Sequence, residues 1–106
     1  MRTADLTPRQ YLLLLAIEGS PGGTRRAQIG EIADALQLAP STTSELVDRA
    51  AAAGIVRRVS AARDARVVGV SLTATGRRRL EKAMAALDAE RDAVAAAAET
   101  LRQHLP

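Results

Sequence analysis

The stretch GIVRRVSAARDARVVGVSLTATG, residues 54–76, holds two short β-prone runs, Ile55–Val59 and Val67–Leu72, around a polar turn, Ser60–Arg66. Both runs are rich in Val and Ile, which suit a pleated, half-buried surface. The spacing predicts a β-hairpin. It is a cationic one: Arg57, Arg58, Arg63 and Arg66 lie in it and Arg49 just before it, with Asp48 and Asp64 opposed to them. Immediately upstream, Ser41–Ala53 reads as a helix. A helix followed by a basic hairpin fits duplex DNA, because a helix enters the major groove while the hairpin carries cations to phosphates or the minor groove.

Working outward, Thr7-Pro8-Arg9-Gln10 has the marks of a helix start. Thr7 caps, Pro8 suits the first helical position, and Gln10 completes a capping box. The apolar run Tyr11–Ile17 follows, with Tyr11 expected in the core, and Gly19-Ser20-Pro21-Gly22-Gly23 ends the helix. Thr24–Gln28 reads as a short strand able to pair with the hairpin. Ile29, Ile32, Ala33 and Leu36 fall at helical spacing, and a turn at Gln37–Pro40 leads to the next helix. In that helix Thr43, Leu46, Val47 and Ala50 share the core face. Ser41, Glu45 and Asp48 lie opposite, flanked by Thr42, Ser44 and Arg49.

From Thr73 the pattern is helical almost to the end. Leu80, Met84, Leu87, Arg91, Val94, Ala98, Leu101 and Leu105 alternate four and three apart, which is the spacing of a coiled-coil seam. A lobe this small has little core left to cover such a stripe, so pairing with a second copy is expected. Leu80, Met84, Leu87, Val94, Leu101 and Leu105 are the expected dimer contacts. Arg91 either sets the register or marks a break. The fold class is thus mostly α with a small β-hairpin wing: a winged helix-turn-helix over residues 1–76, then a C-terminal dimerisation helix over 77–106.

The chain has 106 residues and a formal net charge of +3. That is enough for one modest core. The charge is uneven: Arg57, Arg58, Arg63, Arg66, Arg77, Arg78 and Arg79 face only Asp64 within their stretch, whereas acids outnumber bases from Glu81 onward. This points to a basic patch for a polyanion. Arg77–Arg79 either grip phosphates or form a solvated first turn. With no Cys, thiolate catalysis and disulfides are excluded. With no Trp or Phe and a single Tyr, base stacking on single strands has almost no platform. No apolar run spans a bilayer or makes a signal peptide, so the expected location is the cytoplasm. His104 is the only histidine and sits near the chain end, so no catalytic triad is expected. Asp88, Glu90 and Asp92 do not share a helical face, and no metal site is expected. Gly19, Gly22 and Gly23 lack the ending of a phosphate loop. No cofactor and no enzymatic activity are expected.

Six pieces in order resemble the MarR family of winged helix-turn-helix transcription regulators: Leu6–Gln10, Ile32–Leu36, Ser41–Arg49, Gly54–Arg58, Asp64–Arg66 and Leu72–Gly76. The resemblance covers roughly residues 6 to 90 and implies a homodimer on a pseudo-palindromic double-stranded DNA site, often repressing transcription. Ser41, Thr42, Ser44 and Arg49 would then face the major groove. Arg63 and Arg66 would belong to the wing, with Arg66 reaching the minor groove and Asp64 orienting it. Departures are also visible. Only five residues precede Leu6, where the family usually has a helix that helps build the dimer. The usual effector cleft adjoins that region, so a small-molecule effector is possible but unsupported. Ala39 stands where a capping Ser or Asp is common. The layout also resembles PadR-like regulators, with less of their wing motif. An alternative is a winged-helix module that pairs with another protein without binding DNA. Glu45 and Asp48 favour it, because they repel phosphate unless they accept from cytosine amino groups or hold nearby arginines.

Overall fold

The computed structural model describes residues 5–19, 26–61 and 64–105, and for residues 26, 60, 61 and 64–68 the backbone alone. Thr7 opens the first helix, α1 (Pro8–Glu18), as its spacing predicts. The Gln10 N–H donates to the Thr7 hydroxyl at 3.1 Å, and the Thr7 N–H donates to Gln10 Oε1 at 2.9 Å. Two backbone donors that a helix start leaves without partners are satisfied in this way. Leu13, Leu14 and Ile17 form the buried face, Tyr11 packs at the edge of the core, and Gly19 closes the helix.

A short strand, β1 (Arg26–Gln28), runs into α2 (Ile29–Leu36), which buries Ile32 and Ala33. Gln37 follows with φ 58°, in the left-handed region. There the Leu38 N–H reaches the Ala33 carbonyl at 3.0 Å and the Gln37 N–H the Asp34 carbonyl at 3.3 Å. The next helix, α3 (Pro40–Ala52), starts one residue before the expected Ser41. Proline fits the first helical position because that residue's N–H has no intrahelical acceptor anyway. Thr43, Val47 and Ala50 are buried, and the Thr43 hydroxyl donates to the Ala39 carbonyl at 3.0 Å.

Gly54 ends α3. Its φ of 78° is a left-handed conformation that glycine adopts without a Cβ penalty. The Ile55 N–H bonds to the Ala50 carbonyl at 3.1 Å and the Gly54 N–H to the Ala51 carbonyl at 3.0 Å. That pair of bonds is a Schellman motif, and it delivers Ile55, fully buried, to the start of the sheet. Two strands follow, β2 (Val56–Ala61) and β3 (Asp64–Leu72), in an antiparallel sheet of order β1-β3-β2. Val56 faces Leu72, Val59 faces Gly69, and the register shifts between Ser60 and Ala61. The strands run further towards the tip than the apolar pattern predicts: Ser60, Ala61 and residues 64–66, expected in the turn, are strand. Backbone pairing does not require an apolar residue at a tip that buries nothing, so composition underestimates its length. Of the expected strand Thr24–Gln28, Arg26–Gln28 forms and pairs with β3; residues 24 and 25 lie outside the described residues.

The last helix, α4 (Ala74–Gln103), has 30 residues and starts from a Thr73 cap. The Thr73 hydroxyl accepts from the Gly76 N–H at 3.0 Å and donates to the Gly54 carbonyl at 2.6 Å. The Thr73 N–H donates to the Ile55 carbonyl at 3.1 Å. Gly76 permits this approach: a Cβ there would lie 1.9 Å from the Ile55 carbonyl oxygen. The helix then runs unbroken through Arg91 and leaves the lobe, giving the molecule extents of 65 × 25 × 24 Å. Leu80, expected on the dimer seam, is instead only 2% exposed and belongs with Ala83 to the lobe's own core. The first turns of α4 are therefore part of the globular unit, because Leu80 finds its apolar partners inside the same chain.

Candidate nucleic-acid interface

Burying Thr43, Val47 and Ala50, with Leu46 packed alongside, fixes which side of α3 meets solvent. Ser41, Glu45, Asp48 and Arg49 are exposed, and Thr42 and Ser44 are half-buried. That is the polar face expected from the spacing. The sheet sets β2 beside it, and Arg58 leans from β2 onto the helix. Its Nη2 lies 2.6 Å from Asp48 Oδ1 and 3.4 Å from the Ser44 hydroxyl oxygen. Ser44 and Asp48 are one helical turn apart, so one guanidinium spans both. Arg57, the preceding residue of β2, is exposed.

This pairing changes the electrostatics of the helix face. Asp48 is one of the two acids that weigh against a polyanion partner, and its charge is offset by a cation from the neighbouring strand. Glu45 remains exposed on the same face. The role of Arg58 is not readable from local spacing. Asp48 and Arg58 are ten residues apart in two different elements, and neither helical nor strand periodicity links them. The one signal in the sequence is that an acid on a face expected to meet a polyanion needs a reason to be there.

The wing residues are only partly described. Asp64 and Arg66 lie in β3, but their side chains, and all of Arg63, fall outside the described residues, as does the expected orientation of Arg66 by Asp64. The Arg77–Arg79 run is partly committed to its own chain. Arg77 Nη1 is 3.6 Å from Glu18 Oε1 at the end of α1, and Arg78 donates to the Thr75 hydroxyl at 3.2 Å. His104 is exposed, and its Nδ1 lies 2.8 Å from the Thr100 carbonyl oxygen. Among the described residues, no group of three or more His, Asp or Glu side chains is placed to hold a metal ion. No helix among them is long and apolar enough to cross a membrane.

Among the described residues, two further surfaces are apolar. Along α4 beyond Ala83, Met84, Val94, Leu101 and Leu105 are exposed, the last three at 68%, 64% and 62%, and Leu87 is half-buried. A groove of about 220 Å³ lies between α1, the α2–α3 turn and α3, lined by Arg9, Leu12, Leu36, Leu38 and Leu46. Drug-sized sites usually enclose about 300–1,000 Å³.

A helix pair packed on a small sheet, a hairpin beside the second helix and a long helix leading away together define a winged helix-turn-helix protein. The family model described as "MarR family" matches residues 4–67, well over half of the chain, and the chain belongs to the MarR family. Solved structures agree. A mutant of MarR from E. coli complexed with operator DNA is 25% identical, with a TM-score of 0.69 over 96% of this chain and 77% of that one. A transcriptional regulator from Thermotoga maritima is 27% identical, with a TM-score of 0.69 over 85% of this chain and 61% of that one. A mutant of MepR from S. aureus reaches a TM-score of 0.78 at 23% identity, over 87% of this chain and 66% of that one, and shares the fold. The chain thus spans between 61% and 77% of the length of these proteins. No curated protein sequence matches it.

Proposed function

We propose that this protein is a cytoplasmic, sequence-specific regulator of transcription that binds double-stranded DNA as a homodimer, acting as a repressor. The observation that carries the reading is the polar face of α3 lying beside a basic hairpin, in a family with a member solved on its operator. Ser41, Thr42, Ser44 and Arg49 meet base edges in the major groove. Arg63 and Arg66 carry the wing to the flanking backbone or minor groove, with Asp64 orienting Arg66. The second copy covers the outer part of α4 through Met84, Leu87, Val94, Leu101 and Leu105. Their exposure supports this, because soluble monomers rarely leave a long apolar stripe in water. The two α3 helices then sit about one DNA turn apart, roughly 34 Å.

A gel shift against genomic fragments at low salt, with light scattering on the same sample, tests the reading. Retarded fragments and a dimer are expected; no retardation, or a monomer at micromolar concentration, overturns it. Arg66→Ala tests the wing. It should weaken binding similarly across sequences and lower the slope of log affinity against log salt by about one. Unchanged affinity at matched salt would remove the wing from the interface.

A further inference from the structure

We infer that Arg58 is a specificity-determining residue of this interface, and that Asp48, with Ser44, is the clamp that positions it. The inference rests on the DNA-binding reading and adds a base contact supplied by the sheet rather than by the helix. Arg58 starts on β2, yet its guanidinium is held against the outward face of α3, the face that meets DNA. Only Nη2 takes part in these contacts; among the described residues Nη1 and Nε make no hydrogen bond. An Arg guanidinium is planar and carries its five donors in a fixed fork. Fixing one nitrogen on Asp48 therefore fixes where the others point. The base-edge partner suited to two parallel N–H donors is the O6 and N7 pair of guanine, open in the major groove.

Two further observations favour specificity over general attraction. The ion pair is neutral as a unit, so it adds little pull on phosphates at large. It is also solvent-exposed, with side chains 37% and 66% accessible for Arg58 and Asp48. Exposed pairs add little to folding stability. A structural purpose therefore does not account for an acid on this face, whereas steering a cation does. In this arrangement Asp48 lowers the affinity for any DNA and raises the preference for the right one.

The test begins with duplexes selected from a random pool by the unmodified protein. Dissociation constants are then measured at matched salt for the wild type, R58A, R58K, D48N and R58A/D48N. Each is tested on the selected site and on versions with each guanine of the half-site replaced by adenine. The wild type should discriminate by roughly 10- to 100-fold at one guanine position. R58A and R58K should both lose that preference there and keep it elsewhere, because lysine keeps the charge without the fork. D48N should bind substituted duplexes more tightly while discriminating less, and the double variant should show the base preferences of R58A. Melting temperatures should stay close to wild type throughout. Uniformly weaker binding by R58A with every guanine preference intact would make Arg58 a phosphate contact and overturn the inference. Tighter binding by D48N with discrimination unchanged would overturn the clamp. Failure of the wild type to select any sequence would instead overturn the DNA-binding reading itself.

Discussion

Gly76→Ala is the substitution with the sharpest structural consequence. The added Cβ would stand 1.9 Å from the carbonyl oxygen of Ile55 and 2.9 Å from its carbonyl carbon. Both are backbone atoms of a fully buried residue, so no side chain can swing aside. Either α4 moves away from the Gly54–Ile55 corner or the corner moves away from α3. Overpacking of this kind costs about 1–3 kcal/mol. Separation also stretches the bonds from Thr73 to the Gly54 and Ile55 carbonyls, each worth about 1 kcal/mol. Against this, alanine is favoured over glycine inside a helix by about 1 kcal/mol. The net expectation is a loss of about 2–3 kcal/mol, or roughly 10–20 °C in melting temperature for a domain of this size. Thermal and urea denaturation followed by far-UV circular dichroism measure it. Gly30→Ala is the control: a Cβ at Gly30 meets nothing within 4 Å, so that change should leave stability equal or raise it by about 0.5 kcal/mol. A Gly76→Ala protein as stable as wild type would refute the close approach of α4 to Ile55.

Three other outcomes follow from the same reasoning. Gln37→Gly should stabilise the fold by about 0.5–1 kcal/mol in urea denaturation, because Gln37 sits at φ 58° and a left-handed non-glycine residue costs about 1–2 kcal/mol, part of which is returned as unfolded-chain entropy. Ala39→Ser should add about 1 kcal/mol, since Ala39 caps α3 with no side-chain hydrogen bond and serine supplies one; an unchanged midpoint would mean that water already serves those amides equally well. Val94→Asp with Leu101→Asp should give monomers by sedimentation that keep a folded lobe, because both residues are exposed and lie beyond it; dimers that survive both changes would place the interface elsewhere.

The sequence discloses what depends on near neighbours. The capping box at Thr7 and Gln10, the strand alternation after Gly54 and the 3–4 spacing of α4 are all set within a few residues, and all three form. Where tertiary contact decides, the reading falls short. The heptad spacing places Leu80 and Val94 on one stripe, but cannot say where the lobe stops covering it. Leu80 turns out to be core, whereas Val94 is exposed. Gly76 reads as an ordinary helix-start glycine until α4 is seen against Ile55. The Arg58 and Asp48 pair escapes for the same reason, because its partners meet only once β2 is laid beside α3. For Arg63, Arg66 and Asp64, the side-chain part of the wing reading lies outside the described residues.

The Gly54–Ile55 corner ties these observations together. The Ile55 N–H is bound to the end of α3, the Ile55 carbonyl to the Thr73 N–H, and the Gly54 carbonyl to the Thr73 hydroxyl. The end of α3, the root of the wing and the start of α4 are thus fixed to one another through two residues. Side-chain repacking alone cannot loosen such a joint, because the N–H and carbonyl groups of both residues are main-chain atoms and all four are already engaged. In the proposed dimer, the outer part of α4 sets how far apart the two α3 helices stand. A change of roughly 10° in its direction, carried over about 30 Å of helix, moves the far end by about 5 Å. Adjacent base pairs are only about 3.4 Å apart. A joint this tight is therefore what a fixed half-site spacing requires, and a Cβ at Gly76 should disturb operator spacing as well as stability.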